Sequence, residues 1–359
     1  MGLKNSKYTP EELQHILGYF SIEQGHFSLQ PLTAGYINDT FLVFKEHTPL
    51  YILQQINHNV FKDVKGLMQN IAKALDALMA NDYNTIKLQK TGMGETYVQH
   101  SGSYWRLMSY IPESTTFNTT TNTKIAFEAG RIIGKFHLLL KNEKSSVFVD
   151  TIPQFHDLNL RKIQFHEALG SAEKSKLDLA KNTLDFAKET LKKLEGINTS
   201  DLPFRICHND TKLNNILFSK ASDRALCLID LDTIMGGYFF YDFGDAIRTI
   251  VNTAPEDEQD HDKITFDQTL FNAFVEGLAH NGPFLTEREL KSLPLGTAFM
   301  PFIHGLRALT DYLNNNIYYK VSYENQNLDR ALSLFDFTKK ALDQLDFMKE
   351  VFKNRLETD

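Results

Sequence analysis

Cysteine is scarce in this chain of 359 residues, with only Cys207 and Cys227 present. So few thiols exclude a disulfide framework, and no Cys/His spacing suggests a structural zinc site. Two small buried residues on adjacent strands are expected instead, since free cysteine is among the side chains most often found inside. Long apolar runs are also absent: none approaches the ~20 residues of a membrane-spanning helix. No secretory signal precedes the globular pattern, so a cytoplasmic protein without a membrane partner is expected. Met1-Gly2-Leu3-Lys4-Asn5-Ser6 matches a short myristoylation pattern and is read as a chance match. Positive charge is in deficit, 38 Lys and Arg against 45 Asp and Glu for a net charge of -7. A nucleic-acid partner would call for a basic face, so none is expected. No repeat of fixed period suggests a solenoid. What is left is a globular chain, 42% hydrophobic and long for a single core, for which two lobes are the default.

The most informative stretch is His208 to Leu217, H-N-D-T-K-L-N-N-I-L, followed 15 positions after Asn215 by Asp230. H-x-D-x-x-x-x-N is the spacing of a phosphotransferase catalytic loop, in which the Asp receives the proton of an attacking hydroxyl and the Asn reaches a metal ion. A second carboxylate on a later strand must chelate the metal, and Asp230 ends the apolar run Ala225-Leu226-Cys227-Leu228-Ile229. Transferring a γ-phosphoryl group spreads negative charge over its outer oxygens, so the site needs Mg2+ and fixed cations. Magnesium takes oxygen ligands and keeps much of its water, so one amide and one or two carboxylates suffice. Asp210 is therefore the candidate base, Asn215 and Asp230 the candidate metal ligands, and Lys212 the candidate contact to the transferred phosphate. His208 is assigned a structural place in the loop.

Asp242-Phe243-Gly244 spells the metal-binding triplet of protein kinases, but it lies 27 residues after Asn215 and opens a helical pattern running to Val251. Asp242 is expected at a helix N-cap, with a structural role bracing the catalytic loop.

His208-Asn209-Asp210 with Ile229-Asp230 in place of Asp-Phe-Gly resembles the aminoglycoside phosphotransferase superfamily, small-molecule relatives of protein kinases. Ile229-Asp230-Leu231-Asp232-Thr233-Ile234-Met235, Asp242-Phe243-Gly244-Asp245, Gly35-Tyr36-Ile37-Asn38, Tyr51-Ile52-Leu53-Gln54-Gln55-Ile56-Asn57, Gly305-Leu306-Arg307 and Asp311-Tyr312-Leu313 resemble the N-acetylhexosamine 1-kinases in particular. The resemblance spans most of the chain. It implies an α+β, bilobal protein-kinase-like fold, with a small antiparallel-sheet nucleotide-binding lobe over residues 1–113 and a larger, mainly helical lobe over 114–359. It also implies ATP and Mg2+ as cofactors and a small sugar as substrate, phosphorylated at its anomeric hydroxyl. Neither oligomeric state nor preferred epimer is encoded in any of these patterns.

Strand-like runs at Phe27–Leu29, Thr40–Phe44, Tyr51–Leu53 and Tyr104–Met108, with a helix over about Val60–Met79, predict the small lobe as a sheet with one packed helix. Between the first two strands, Gly35, Asn38 and Thr40 are candidate phosphate contacts through backbone amides. Met108 and Tyr110 lie at the crossover whose backbone would meet adenine. His137 reads as a core histidine. Arg307, Asp311, Tyr312 and Tyr318 offer hydrogen-bonding and aromatic groups for sugar hydroxyls and an acetamido group, against a surface helix with an Arg-Asp pair at i,i+4. Asp232 would bind metal through water or hydrogen-bond the sugar. The acidic stretch Glu256 to Asp262 reads as a solvated loop.

One departure stands out. The third strand carries Gln54 where kinases place a lysine, and the following helix offers Met68-Gln69-Asn70 where they place a glutamate. Either ATP is held less electrostatically, or Lys65 or Lys212 supplies the cation. The competing functions are phosphorylation of another small alcohol, such as an aminoglycoside, choline or homoserine, and nucleotide binding without turnover.

Overall fold

The computed structural model describes residues 7–32, 37–194 and 199–356. Gly35 and the Met1–Ser6 pattern lie outside them. Helix α1 (Pro10–Leu17) starts on Thr9, whose side chain accepts from the Glu12 amide, with proline in the first turn. Five strands follow: β1 (Phe27–Leu32), β2 (Asp39–Lys45), β3 (Thr48–Ile56), β4 (Val98–His100) and β5 (Ser103–Ser109), with α2 (Val64–Ala77) between β3 and β4. They form an antiparallel sheet in the order β1-β2-β3-β5-β4. Alternation in β2 turns Phe41 and Val43 inward with Leu53, Trp105 and Leu107, and α1 adds Leu13 and Ile16 to make the small core. The helix packed on this core is α1 and not the one expected over Val60–Met79. Helix α2 instead sends Leu67, Ile71 and Ala74 into the larger core, where Asn70 bonds the backbone of Val149 and the Ile234 carbonyl.

Beyond the crossover, β6 (Ser114–Thr115) joins β8 (Ile216–Ser219) and β9 (Ala225–Leu228) in one small sheet, and β7 (Arg205–Cys207) pairs with β10 (Met235–Gly237) in another. Cys207 and Cys227 are both free and buried, but they stand in different sheets and not on neighbouring strands. Helix α3 (Thr123–Leu140) begins on the Asn122 cap. The lysine-rich stretch from Ala172 to Leu194 forms α5 (Lys174–Leu179) and α6 (Lys181–Leu194) after α4 (Leu158–Ser171). The rest is α7 (Phe239–Ile250), α8 (Gln268–Ala279), α9 (Glu287–Leu313), α10 (Gln326–Asp343) and α11 (Leu345–Arg355).

Glycine sets two of the helix contacts by letting backbones touch. A Cβ on Gly277 of α8 would lie 1.8 Å from the Phe127 carbonyl oxygen of α3, and one on Gly244 of α7 would lie 2.1 Å from the Gly296 carbonyl oxygen of α9. Gly244 is therefore a packing glycine inside a helix. Helix α7 starts at Phe239, so Asp242 sits in its first turn and the cap is Tyr238, four positions earlier than expected.

Candidate active site

The loop between β7 and β8 carries the catalytic candidates, and Asp242 fastens its start. The Oδ2 of Asp242 accepts from the His208 amide at 2.8 Å and its Oδ1 from the Asn209 amide at 2.7 Å. His137 Nε2 lies 2.9 Å from the same Oδ2, and the Thr211 hydroxyl donates to the Asp242 carbonyl. All are buried. Burial pulls the His137 pKa down despite the facing carboxylate, so its Nε2–H donates as a neutral ring. His137, Cys207 and Asp242 place ligand-type atoms within 4.8 Å of one another, yet the Asp242 oxygens already receive three donors, and burial pushes the Cys207 thiol well up. The His208 ring spans the loop: Nε2 is 2.9 Å from the Ile229 carbonyl and Nδ1 is 3.3 Å from the Asp210 amide. Asn209 adopts φ +62°, a conformation that asparagine tolerates, and its side-chain amide bonds the carbonyls of Cys207 and Thr233.

This bracing brings four polar groups together. Asn215 Nδ2 donates to Asp210 Oδ2 at 2.8 Å, and Lys212 Nζ approaches the same oxygen at 3.0 Å. The Ile229 amide bonds the Asn215 carbonyl at 2.8 Å, which ties the end of β9 to the loop and sets Asp230 beside it. Asp230 has φ +62° and ψ +55°, a left-handed turn uncommon outside glycine and asparagine. Its carboxyl pKa is raised to about 6 by desolvation and by the Asp232 and Asp210 carboxylates, against the opposing pull of Lys212 and Arg106. Desolvation would lower Lys212, but Asp210 and Asp230 more than offset it and hold the ammonium charged. Crowded carboxylate oxygens beside an amide form a hard-oxygen donor set, which suits magnesium.

On the sheet side, Gln54 Nε2 donates to the Thr40 hydroxyl at 3.0 Å, while Gln54 Oε1 accepts from Arg106. Asn38 reaches across 194 positions to donate to Asp232 Oδ2 at 2.7 Å. Asp232 also forms a buried ion pair with Arg106. Its carboxylate is engaged on both oxygens, which makes it a brace between the sheet and the turn after Asp230. Met108 pairs with Ile52 inside the sheet, and the Tyr110 amide donates to the Leu50 carbonyl at 2.9 Å. Met108 thus lies within β5, and the Tyr110 amide just past the strand is already used. Lys65 is exposed at the start of α2.

The remaining candidates separate. Asp311 accepts from the amides of Tyr318 and Tyr319 and from Asn327 Nδ2, so it locks the turn after α9 and does not pair with Arg307. Tyr312 is buried, with Lys176 Nζ 4.7 Å over its ring. Both therefore belong to the packing of α9, which is a buried central helix and not a surface one. Arg307 and the exposed Tyr318 do meet: the guanidinium lies 5.8 Å from the Tyr318 ring and 5.1 Å from that of Phe155. Phe155 also lines a cavity of about 400 Å3 with His156, Asn209, Tyr238, Tyr241 and Phe299. Sequence reasoning missed this cavity, although Tyr238-Phe239-Phe240-Tyr241 was visible as an aromatic run. It also misread Glu256, which pairs with Arg248 and Arg330. Burial would raise the Glu256 pKa, but the two guanidiniums hold it well below the carboxylate range.

Residues 28–274 match the model of the phosphotransferase enzyme family. Among solved structures, a spectinomycin phosphotransferase in complex with ADP and spectinomycin shares 10% identity over 94% of this chain and 98% of its own, with a TM-score of 0.64. An amicoumacin kinase in complex with AMP-PNP and Ca2+ shares 15% identity over 94% of each chain, with a TM-score of 0.60. A Plasmodium vivax ethanolamine kinase shares 14% identity over 93% of this chain and 90% of its own, with a TM-score of 0.56. At these identities the likeness speaks for the bilobal, kinase-like α+β fold. The family model covers more than half of the chain, and the chain belongs to the phosphotransferase enzyme family.

Proposed function

We propose that the protein transfers the γ-phosphoryl group of ATP, with Mg2+, to the anomeric C1 hydroxyl of an N-acetylhexosamine such as N-acetylglucosamine or N-acetylgalactosamine. The observation that carries phosphoryl transfer is the convergence of Asp210, Lys212, Asn215 and Asp230. Asn215 and Lys212 both hold Asp210 Oδ2, which orients the carboxylate and directs Oδ1 to the acceptor. Asp210 takes the proton as the acceptor oxygen bonds to phosphorus and the bond to the β-phosphate oxygen breaks, releasing ADP. Lys212, kept charged, faces the moving phosphoryl oxygens. Asp230 and the Asn215 amide oxygen would hold Mg2+, which neutralises the phosphate charge.

The choice of acceptor rests on charge and on the likeness of Gly305-Leu306-Arg307 to the hexosamine kinases. Ethanolamine, the acceptor in one relative's name, is a cation at neutral pH, as are choline and aminoglycosides. Arg307 has no ion-pair partner among the described residues, and it lies near Arg161, whose pKa falls to about 10 through burial and then through the Arg307 charge. The two guanidiniums weigh against a cation, although Asp157 acts on Arg161 and lines the cavity with Asp150, so the likeness of Gly305-Leu306-Arg307 carries the larger share of the choice. Aromatic walls and a neutral, hydroxyl-rich ring are complementary. A coupled ADP-release screen across hexosamines, amino alcohols and aminoglycosides tests this, with NMR locating the phosphate. Turnover on amines with none on hexosamines, or phosphate at position 6, overturns the acceptor assignment.

A further inference from the structure

A kinase-like site needs a fixed cation for the nucleotide phosphates, and the third strand of this sheet supplies Gln54 in the lysine's place. Lys45 and Arg106 are the Lys and Arg residues of β1–β5. Lys45 is at the far end of β2, paired with Glu23 at 2.7 Å. Arg106 stands directly opposite Gln54 in the antiparallel register and is 2% exposed. Its Nε and Nη2 donate to Gln54 Oε1 at 3.0 and 2.8 Å, and its Nη1 pairs with Asp232 Oδ1. A guanidinium has five N–H donors, so one hydrogen on each terminal nitrogen is left over. Thr40, Gln54, Arg106, Asp232 and Asn38 thus form one polar chain from β2 to the turn after Asp230. Packing alone does not account for it, because a buried ion pair is replaceable by apolar side chains without loss of stability.

Building on the phosphotransfer reading, we propose that Arg106 is the cation that binds the nucleotide phosphates, delivered from β5 in place of β3, with Gln54 as its positioner and Asp232 as its resting counter-ion. The ligand class is a nucleoside di- or triphosphate, and the contact is to phosphate oxygens and not to the nucleoside. The cation in this arrangement is joined directly to the segment that carries Asp230, so the phosphate site and the metal site are held in register by one ion pair.

Titration calorimetry of ADP and of adenosine into the full chain tests this with wild type, Asp232→Asn and the double variant Arg106→Met/Asp232→Asn. The double variant deletes the guanidinium without leaving a buried carboxylate unpaired. Asp232→Asn keeps the guanidinium and is the reference against which the double variant is read. The double variant should bind ADP about tenfold or more weakly than Asp232→Asn, as expected for loss of a charge-assisted contact, while adenosine affinity is the same in all three. Equal losses for ADP and adenosine, or no loss of either, overturn the proposal. Should the double variant fail to fold by circular dichroism, Arg106→Lys decides. Adenosine affinity unchanged with ADP affinity lost selectively, because lysine cannot fork to two phosphate oxygens, supports the phosphate contact; unchanged ADP affinity or parallel losses refute it. A wild type that binds no ADP overturns the phosphotransfer reading and this inference together. Wild-type binding that ignores Arg106 overturns this inference alone.

Discussion

Replacing Asp242 with alanine should cost stability and turnover without touching metal affinity. Its carboxylate receives the His208 amide at 2.8 Å, the Asn209 amide at 2.7 Å and His137 Nε2 at 2.9 Å, all within the core. Alanine leaves three buried donors without an acceptor. Each orphaned donor costs about 1–3 kcal/mol, and water entering the vacated space recovers part of that, so a loss of about 3–6 kcal/mol is expected. At about 2 °C per kcal/mol for a chain of this size, the melting temperature should fall by roughly 6–12 °C. Asp242→Asn keeps one acceptor but turns an NH2 toward a donor, so a smaller loss of about 2–3 kcal/mol is expected. The assay is thermal melting together with Mg2+ titration of nucleotide binding, run on both Asp242 variants and on Asp230→Ala. The Mg2+ midpoint should move in the Asp230 variant only. A moved midpoint in Asp242→Ala with an unmoved one in Asp230→Ala would show that Asp242-Phe243-Gly244 is a metal-binding triplet after all, and the reasoning from helix position would fail.

Asp210→Asn should lower turnover by roughly 100- to 10,000-fold, the range of a general base, with ATP affinity by calorimetry little changed; near wild-type turnover refutes the assignment. Asp230, raised to about 6, should make Mg2+ affinity constant above neutral pH and let it fall by about tenfold per pH unit below 6, because the proton competes with the metal. The metal-free protein should show the opposite sign: a raised carboxyl pKa favours the folded acid form, so the contribution is fully present below the unfolded value and lost as pH rises through about 6. A flat Mg2+ affinity between pH 5 and 7 contradicts that placement. Arg307→Leu should raise the acceptor KM or lower kcat while leaving the ATP KM unchanged, since leucine cannot fork to oxygens; steady-state kinetics with each substrate varied checks it, and unchanged acceptor kinetics move that subsite elsewhere.

Local spacing explains what was legible in advance. His208 to Asn215 is one short loop, and Asp230 lies just past β9, the second strand of the hairpin that follows it, so a spacing motif already implied that these residues meet. The two-lobed plan was legible for a similar reason: period-two patterns crowd the first third of the chain, and helical periods fill the rest. Boundaries were less so. The expectation of Asp242 at a cap failed because Phe239, Phe240 and Phe243 bury the first turn of α7, and apolar burial extended the helix backward past a good capping residue. Asp311 looked free because i,i+4 spacing from Arg307 is a local fact, whereas the amides of Tyr318 and Tyr319 reach it only after the chain turns beyond α9.

The same distinction explains why charge was the hardest quantity to read. Glu256 lies in a run of acidic residues that local composition marks as solvated, yet Arg248, eight positions earlier, and Arg330, 74 positions later, enclose it. Asp245 joins the same group through Arg248 at 2.7 Å. Arg106 presents the complementary case, an arginine in an apolar strand with no carboxylate near it in the chain, whose partner Asp232 is 126 positions away. A buried charge is stable only with its partner in place, so its presence in a sequence says that a partner exists without saying which one. In this fold the unmatched charges of the small sheet and of the turn after Asp230 answer each other. The missing third-strand lysine is therefore better explained by a cation on the neighbouring strand than by a weaker electrostatic hold on nucleotide.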